Sequence, residues 1–260
     1  MSFYDFQKGE VLLIDKPLEW TSFDAVNKVK ITIRKKMRQN LLPSEKGTRI
    51  KIKVGHAGTL DPLATGLLIV CTGKQTRNLE NYTAQEKEYT GTFRLGSTTP
   101  SFDLEKETDA TFPTDHITDA LIHGAALQFT GKQQQIPPLF SAIRVGGKRA
   151  YKIARAGKEA EIPAREIVIS EFEILAIRPT EVDFRLVCSK GTYIRALARD
   201  FGLSLQSGAH LIALCRTRIG EFELKNALSL DAFEHACEES FRISNLSKPV
   251  EQNSHPPAVS

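Results

Sequence analysis

One carboxylate sits in the most turn-rich stretch of the chain. Asp61 lies inside Gly55-His56-Ala57-Gly58-Thr59-Leu60-Asp61-Pro62-Leu63-Ala64-Thr65-Gly66, which holds three glycines and one proline. Pro62 fixes its own φ and pushes Asp61 towards an extended backbone. A carboxylate on a loop stiffened in this way can serve as an acid, a base or a nucleophile. Asp-Pro also initiates ordinary turns, so the loop by itself is equally a turn former. A phosphate loop is excluded: Gly73-Lys74 looks like the end of a Walker motif, but Leu68 stands where its first glycine belongs and Gln75 replaces Ser or Thr. The second residue with chemistry in it is Arg195. The helical spacing of Ile194, Leu197, Ala198 and Phe201 places it in a first helical turn, with Thr192 as the expected cap. A helix N-terminus already carries positive partial charge, so a guanidinium there needs an anion nearby. Asp61 is one candidate; solvent or Asp200 is the alternative.

The elements that must hold these groups are legible from periodicity. Before the loop, Ile50, Ile52 and Val54 alternate with Lys51 and Lys53 as in a half-buried strand; after it, Leu67 to Cys71 is an unbroken apolar run, as in a buried one. Val11 to Ile14 predicts a short strand. Thr21 and Asp24 form a helix-start signal, with Phe23, Val26, Val29 and Ile33 following at helical spacing. Lys74 to Tyr82 predicts a short helix, and Lys87 to Leu95 a strand that carries Tyr89, Phe93 and Leu95. Ser97 to Phe112 is polar and predicts a surface loop. Thr114 then caps a helix whose expected stripe is Ile117, Leu121, Ala125 and Phe129. Two prolines, two glycines and a basic run between about 130 and 156 predict a thumb-like hairpin able to close over a bound strand. Ile167 to Ile177, Val182 to Cys188 and Leu211 to Ile219 are further strands, with Val182, Phe184, Leu186 and Cys188 on one face. Ser229 caps a short helix through Cys237. The composition of 244–260 predicts a disordered tail.

Composition narrows the class. With 260 residues, 41% of them hydrophobic, the chain can bury a proper core. No apolar run is long enough to cross a membrane and no leader is visible at the N-terminus, so a soluble cytoplasmic protein without membrane contact is expected. The four cysteines, Cys71, Cys188, Cys215 and Cys237, are scattered without a C-x-x-C pair. They read as free thiols rather than disulfides or a zinc site. The net charge is only +4, yet Lys28 to Lys53 holds ten Lys/Arg against the single acid Glu45, and Thr130 to Ala156 holds six against none. Two nearly acid-free basic stretches in a balanced chain point to a polyanion, and nucleic acid is the expected partner.

The loop around Asp61 closely resembles the signature of TruB-type tRNA pseudouridine synthases. Three more segments agree, in the family's order: Leu13-Ile14-Asp15-Lys16-Pro17, Ile136-Pro137-Pro138-Leu139-Phe140-Ser141-Ala142, and Ser189-Lys190-Gly191-Thr192-Tyr193-Ile194-Arg195. The resemblance covers roughly residues 10 to 232, and four ordered segments are specific. It implies an α+β (mixed α/β) pseudouridine-synthase fold, with a mostly antiparallel mixed sheet flanked by helices. The activity it implies is conversion of the T-loop uridine of tRNA, position 55, to pseudouridine by base flipping, without cofactor or metal. Position by position, it matches Asp61 to the catalytic aspartate, Tyr89 to the tyrosine that stacks on the target base and Arg195 to the arginine that pairs with the aspartate. His56, Tyr193 and Leu214 match positions around the flipped nucleotide, and Lys16 lies in a motif of more structural character. Tyr89 could also help remove the C5 proton at the end of the reaction. A catalytic domain over 10–240, a monomer and binding through the tRNA T arm are expected.

Two departures stand out. About a dozen extra residues, near Gln39 to Arg49, precede the loop, and contact with tRNA phosphates is expected of them. Only about forty residues follow Ile219, too few for the PUA domain that many members carry. Competing readings are a non-catalytic tRNA-binding or tRNA-folding protein and a synthase acting on other RNAs.

Overall fold

The computed structural model describes residues 4–41, 47, 50–141, 144–145, 147–150 and 161–246. The unbroken apolar run is the spine of the molecule. It lies in β3 (Ala64–Thr72), and both faces of that strand are covered. On one face Leu68 and Val70 join Val29, Ile33 and Phe233; on the other Leu67, Ile69 and Cys71 join Ile219. Two-sided burial is why this strand shows no alternation.

β3 belongs to a nine-stranded sheet in the order β1-β3-β12-β4-β11-β10-β7, with β2 added on β3 and β13 on β12. The strands are β1 (Val11–Lys16), β2 (Val54–Ala57), β4 (Lys87–Leu95), β7 (Gly131–Gln135), β10 (Arg165–Arg178), β11 (Glu181–Cys188), β12 (Ala209–Ile219) and β13 (Phe222–Glu223). Every pairing is antiparallel except that of β12 with β3, which runs Leu214 to Arg216 beside Ala64 to Gly66. Small pairs β5 (Ser97–Thr98) with β6 (Ala110–Thr111), and β8 (Arg144–Val145) with β9 (Lys148–Arg149), lie off this sheet. Helices α1 (Ser22–Gln39) and α5 (Leu230–Leu246) pack together over β1 and β3. Helices α3 (Asp119–Phe129) and α4 (Ile194–Ser204) cover β4 and β11, where Phe93, Phe172, Phe184 and Phe201 interlock. The last helix, α2 (Leu79–Ala84), follows a 3-10 turn over Gly73–Asn78. The fold is mixed α/β with a mostly antiparallel sheet, as expected.

The local signals hold in most places. Thr21 and Asp24 form a complete capping box at α1, β4 has the expected bounds, and all four cysteines are free. Several expectations need correction. The strand before the loop is Val54–Ala57 rather than the alternating Ile50 to Val54, so the turn proper is only 58–63. Phe23 is 71% exposed although it falls in the helical spacing of α1. α3 is capped by Thr118, not Thr114, and buries Ile122, Ala125 and Ala126 while Leu121 faces outward: a one-residue rotation that the periodicity did not resolve. The polar segment 97–112 is no simple surface loop, since Thr99, Ser101 and Asp103 are buried. Tyr193 rather than Thr192 occupies the cap position of α4, and the Thr192 hydroxyl donates to the Ser189 carbonyl instead. Residues 244–246 belong to α5, whereas the rest of the expected tail, most of the insertion near 39–49 and most of the basic run after Lys148 lie outside the described residues.

Candidate active site

The turn between β2 and β3 is clamped from below by three side chains from distant parts of the chain. The Ser22 hydroxyl, at the start of α1, accepts from Leu60 N (2.8 Å) and donates to Leu60 O (3.1 Å). Lys16, fully buried, donates Nζ to the carbonyls of Pro17 (2.8 Å) and Trp20 (2.7 Å) and reaches Pro62 O at 3.5 Å. Arg216 donates Nη2 to Gly58 O (3.1 Å) and Nε to Leu67 O (2.8 Å). Gly66 closes the turn with φ of +100°, and a Cβ there would fall 2.4 Å from the Arg216 carbonyl. Left-handed geometry and the parallel strand beside it leave no room for another residue.

The carboxylate held up by this turn meets Arg195. Arg195 Nε donates to Asp61 Oδ2 at 2.8 Å and lies 3.6 Å from Asp103 Oδ2. Its other nitrogens are fixed by carbonyls, Nη1 to Ser101 (3.2 Å) and Nη2 to Phe140 (3.0 Å). The guanidinium is 5% exposed and the Asp61 side chain 40%. A rigid, enclosed cation thus orients a carboxylate that stays accessible, at the N-terminus of α4 where the helix also favours an anion. Asp200 pairs with Arg199 instead.

Asp61, Tyr89, Tyr193, Arg195 and Leu214 line one cleft of about 310 Å³, together with Lys87, Arg165 and Arg216. Lys16 and His56 lie outside its lining. Lys16 sits beneath the turn, and His56 lies on β2 with its Nδ1 unpartnered among the described residues. Burial pushes the Lys16 and Lys87 amines down to about 8, and Arg216 adds to this in both, while Asp61 opposes it for Lys16. Burial likewise lowers His56, which a backbone contact at Gly58 partly offsets. Tyr89 is raised by burial against the opposing influence of Arg216. The backbone of Tyr193 is bracketed by the buried Gln135 amide, which accepts from Tyr193 N (2.8 Å) and donates to Tyr193 O (3.1 Å), and Arg165 stacks 4.6 Å from the Tyr193 ring centroid. The cleft is therefore basic around a single accessible carboxylate. Among the described residues, no three His, Cys, Asp or Glu side chains converge as metal ligands.

Several of these groups carried no signal in the sequence. Asp103 and Ser101 sit in a polar stretch that reads as loop; a backbone bond from Leu211 N to Phe102 O (2.9 Å) pins it to β12 and brings Asp103 to Arg195. Arg216 and Arg218 look alike in sequence, yet a bulge between them leaves Arg216 inside and turns Arg218 outward to Glu86 and Glu88.

Comparison with known proteins is consistent across the chain. The family described as TruB family pseudouridylate synthase (N terminal domain) matches residues 45–194, and tRNA pseudouridylate synthase B C-terminal domain matches 195–253. The tRNA pseudouridine synthase B of Flavobacterium johnsoniae is 54% identical over 90% of this chain and 98% of its own. That of Phocaeicola vulgatus is 54% identical over 88% of this chain and 93% of its own. Among solved structures, a Cbf5-Nop10-Gar1 complex superposes with a TM-score of 0.64 at 28% identity, covering 91% of this chain and 59% of the other.

Proposed function

The chain belongs to the TruB family of pseudouridylate synthases, and from that membership we propose that it isomerises the T-loop uridine of tRNA, position 55, to pseudouridine. The observation that carries the reading is the Asp61 carboxylate, exposed in a basic cleft and held at 2.8 Å by an enclosed Arg195. Pseudouridine formation breaks the bond from C1′ to N1, rotates the uracil and joins C1′ to C5; C5 loses a proton and N1 gains one. Breaking the first bond leaves positive charge at C1′ and negative charge on the base. Asp61 is the group that meets C1′, and the cations of the cleft favour the uracil anion. The base must leave the helical stack first, at a cost of a few kcal/mol that stacking against Tyr89, and contacts with Tyr193 and Leu214, offset.

In this reading residues 10–240 act as one catalytic domain, working as a cytoplasmic monomer on the T arm. Lys16 works as a support of the turn rather than a substrate contact, and His56 lies near the cleft rim. Among the described residues no helix is long and apolar enough to cross a membrane.

The test is to incubate the protein with an unmodified tRNA transcript and map pseudouridine chemically. Product at the T loop supports the proposal. Product at other positions or in other RNAs replaces the substrate; no product makes the protein a non-catalytic tRNA binder.

A further inference from the structure

Arg216 is the bulkiest of the fully enclosed side chains, 1% exposed at the floor of the cleft. Among the described residues no carboxylate pairs with it; Asp61, in the same cleft, is taken by Arg195. Two of its donors are spent on the Gly58 and Leu67 carbonyls. Its third contact is Tyr89, its direct cross-strand neighbour on β4, whose phenol oxygen receives a hydrogen bond from the guanidinium. A guanidinium has donors only, so the tyrosine oxygen must be the acceptor and its own hydrogen must point elsewhere.

The other groups around Tyr89 leave that hydrogen one direction. Lys87, on the same strand, is a cation committed to the Thr83 and Gln85 carbonyls. Cys188 on β11 is a thiol that burial pushes up to about 12. Asp61 is engaged by Arg195. Among the described residues the Tyr89 hydroxyl donates to no protein group, and the open side of the ring is the cleft.

We propose that Arg216 is a positioning residue that presents the Tyr89 hydroxyl as a hydrogen-bond donor to the uracil ring, on which negative charge develops once C1′ and N1 part. This rests on the reading of the cleft as the pseudouridylation site. No proton need change owner: the donor stabilises charge on a ring oxygen while the ring turns. Burial keeps the phenol protonated at neutral pH despite Arg216, so Tyr89 serves as donor and not as the base that collects the C5 proton.

Single-turnover rates on unmodified tRNA decide the matter for wild type, Tyr89→Phe, Arg216→Met, Arg216→Lys and the double variant Tyr89→Phe/Arg216→Met. Losing one donor to a developing charge is expected to slow Tyr89→Phe by about 10²-fold. Arg216→Met falls to a similar level, the double variant is no slower than the worse single one, and Arg216→Lys recovers most of the rate. The ratio of wild type to Tyr89→Phe stays flat between about pH 6.5 and 8.5. Lys87 titrates in both proteins and cancels in that ratio. A ratio climbing about tenfold per pH unit would make Tyr89 a base and overturn the inference, as would losses that multiply in the double variant. If Arg216→Met does not fold, the pH series on wild type and Tyr89→Phe decides alone. Pseudouridine formed by wild type separates failure of this inference from failure of the function, which only an inactive wild type would bring down.

Discussion

A carboxylate becomes useful when something fixes its direction without hiding it, and Asp61 meets that condition because Arg195 is enclosed while Asp61 is not. Asp61→Asn keeps the shape and the turn but removes the charge. It is expected to bind tRNA within about threefold of wild type while product formation falls by at least roughly 10³-fold, the scale seen when one member of a catalytic unit is lost. Near-normal turnover would remove Asp61 from the chemistry. His56 gives a different kind of test. Burial lowers its folded pKa below the usual 6.5, so between those two values the unfolded chain binds more protons than the folded one. Its contribution is therefore in full force above about pH 6.5 and is lost as pH falls. Thermal unfolding from pH 5 to 7 should show a steeper acid-side loss of stability in wild type than in His56→Gln; identical profiles would mean that His56 is not held neutral by its surroundings.

At the scale of elements, the turn over 58–63 is positioned by β1, α1 and β12 rather than by its own sequence. Ser22 and Lys16 hold it from the N-terminal side, Arg216 from the C-terminal side. The parallel pairing of β12 with β3 brings Leu214 and Arg216 next to the exit of the turn, and Gly66 is the point of closest approach. Gly66→Ala forces a Cβ against the β12 backbone in a left-handed conformation. We expect it to cost more than about 2 kcal/mol in chemical denaturation and to lower turnover in what still folds. A stability within about 0.5 kcal/mol of wild type would show that β12 can move away.

At the scale of the whole molecule, the two basic stretches are the expected electrostatic footprint of tRNA. Changing Lys46, Arg49, Lys51 and Lys53 to Gln together should weaken tRNA binding and flatten the dependence of log K on log salt by up to about 0.7–0.9 for each phosphate contact removed. Unchanged affinity and slope would exclude this stretch from the interface. The same substitutions should leave single-turnover rates at saturating protein within about threefold, because none of these residues lines the cleft around Asp61.

The sequence by itself determined most of the elements and the identity of the central turn. Strand and helix periodicities, the capping box of Thr21 and Asp24, and the glycines and proline around Asp61 act locally, and local signals survive in one dimension. A rotation of one residue in α3 and the true start of β2 escaped, because several facings of a short amphipathic segment are nearly equal until neighbours choose between them. Only the tertiary structure decided which charges share the cleft. Arg195 is 134 positions from Asp61; Asp103 arrives on a polar stretch, and Arg216 rather than Arg218 turns inward because of a bulge. Contacts between distant segments are set by strand register, and register is a property of the assembled sheet.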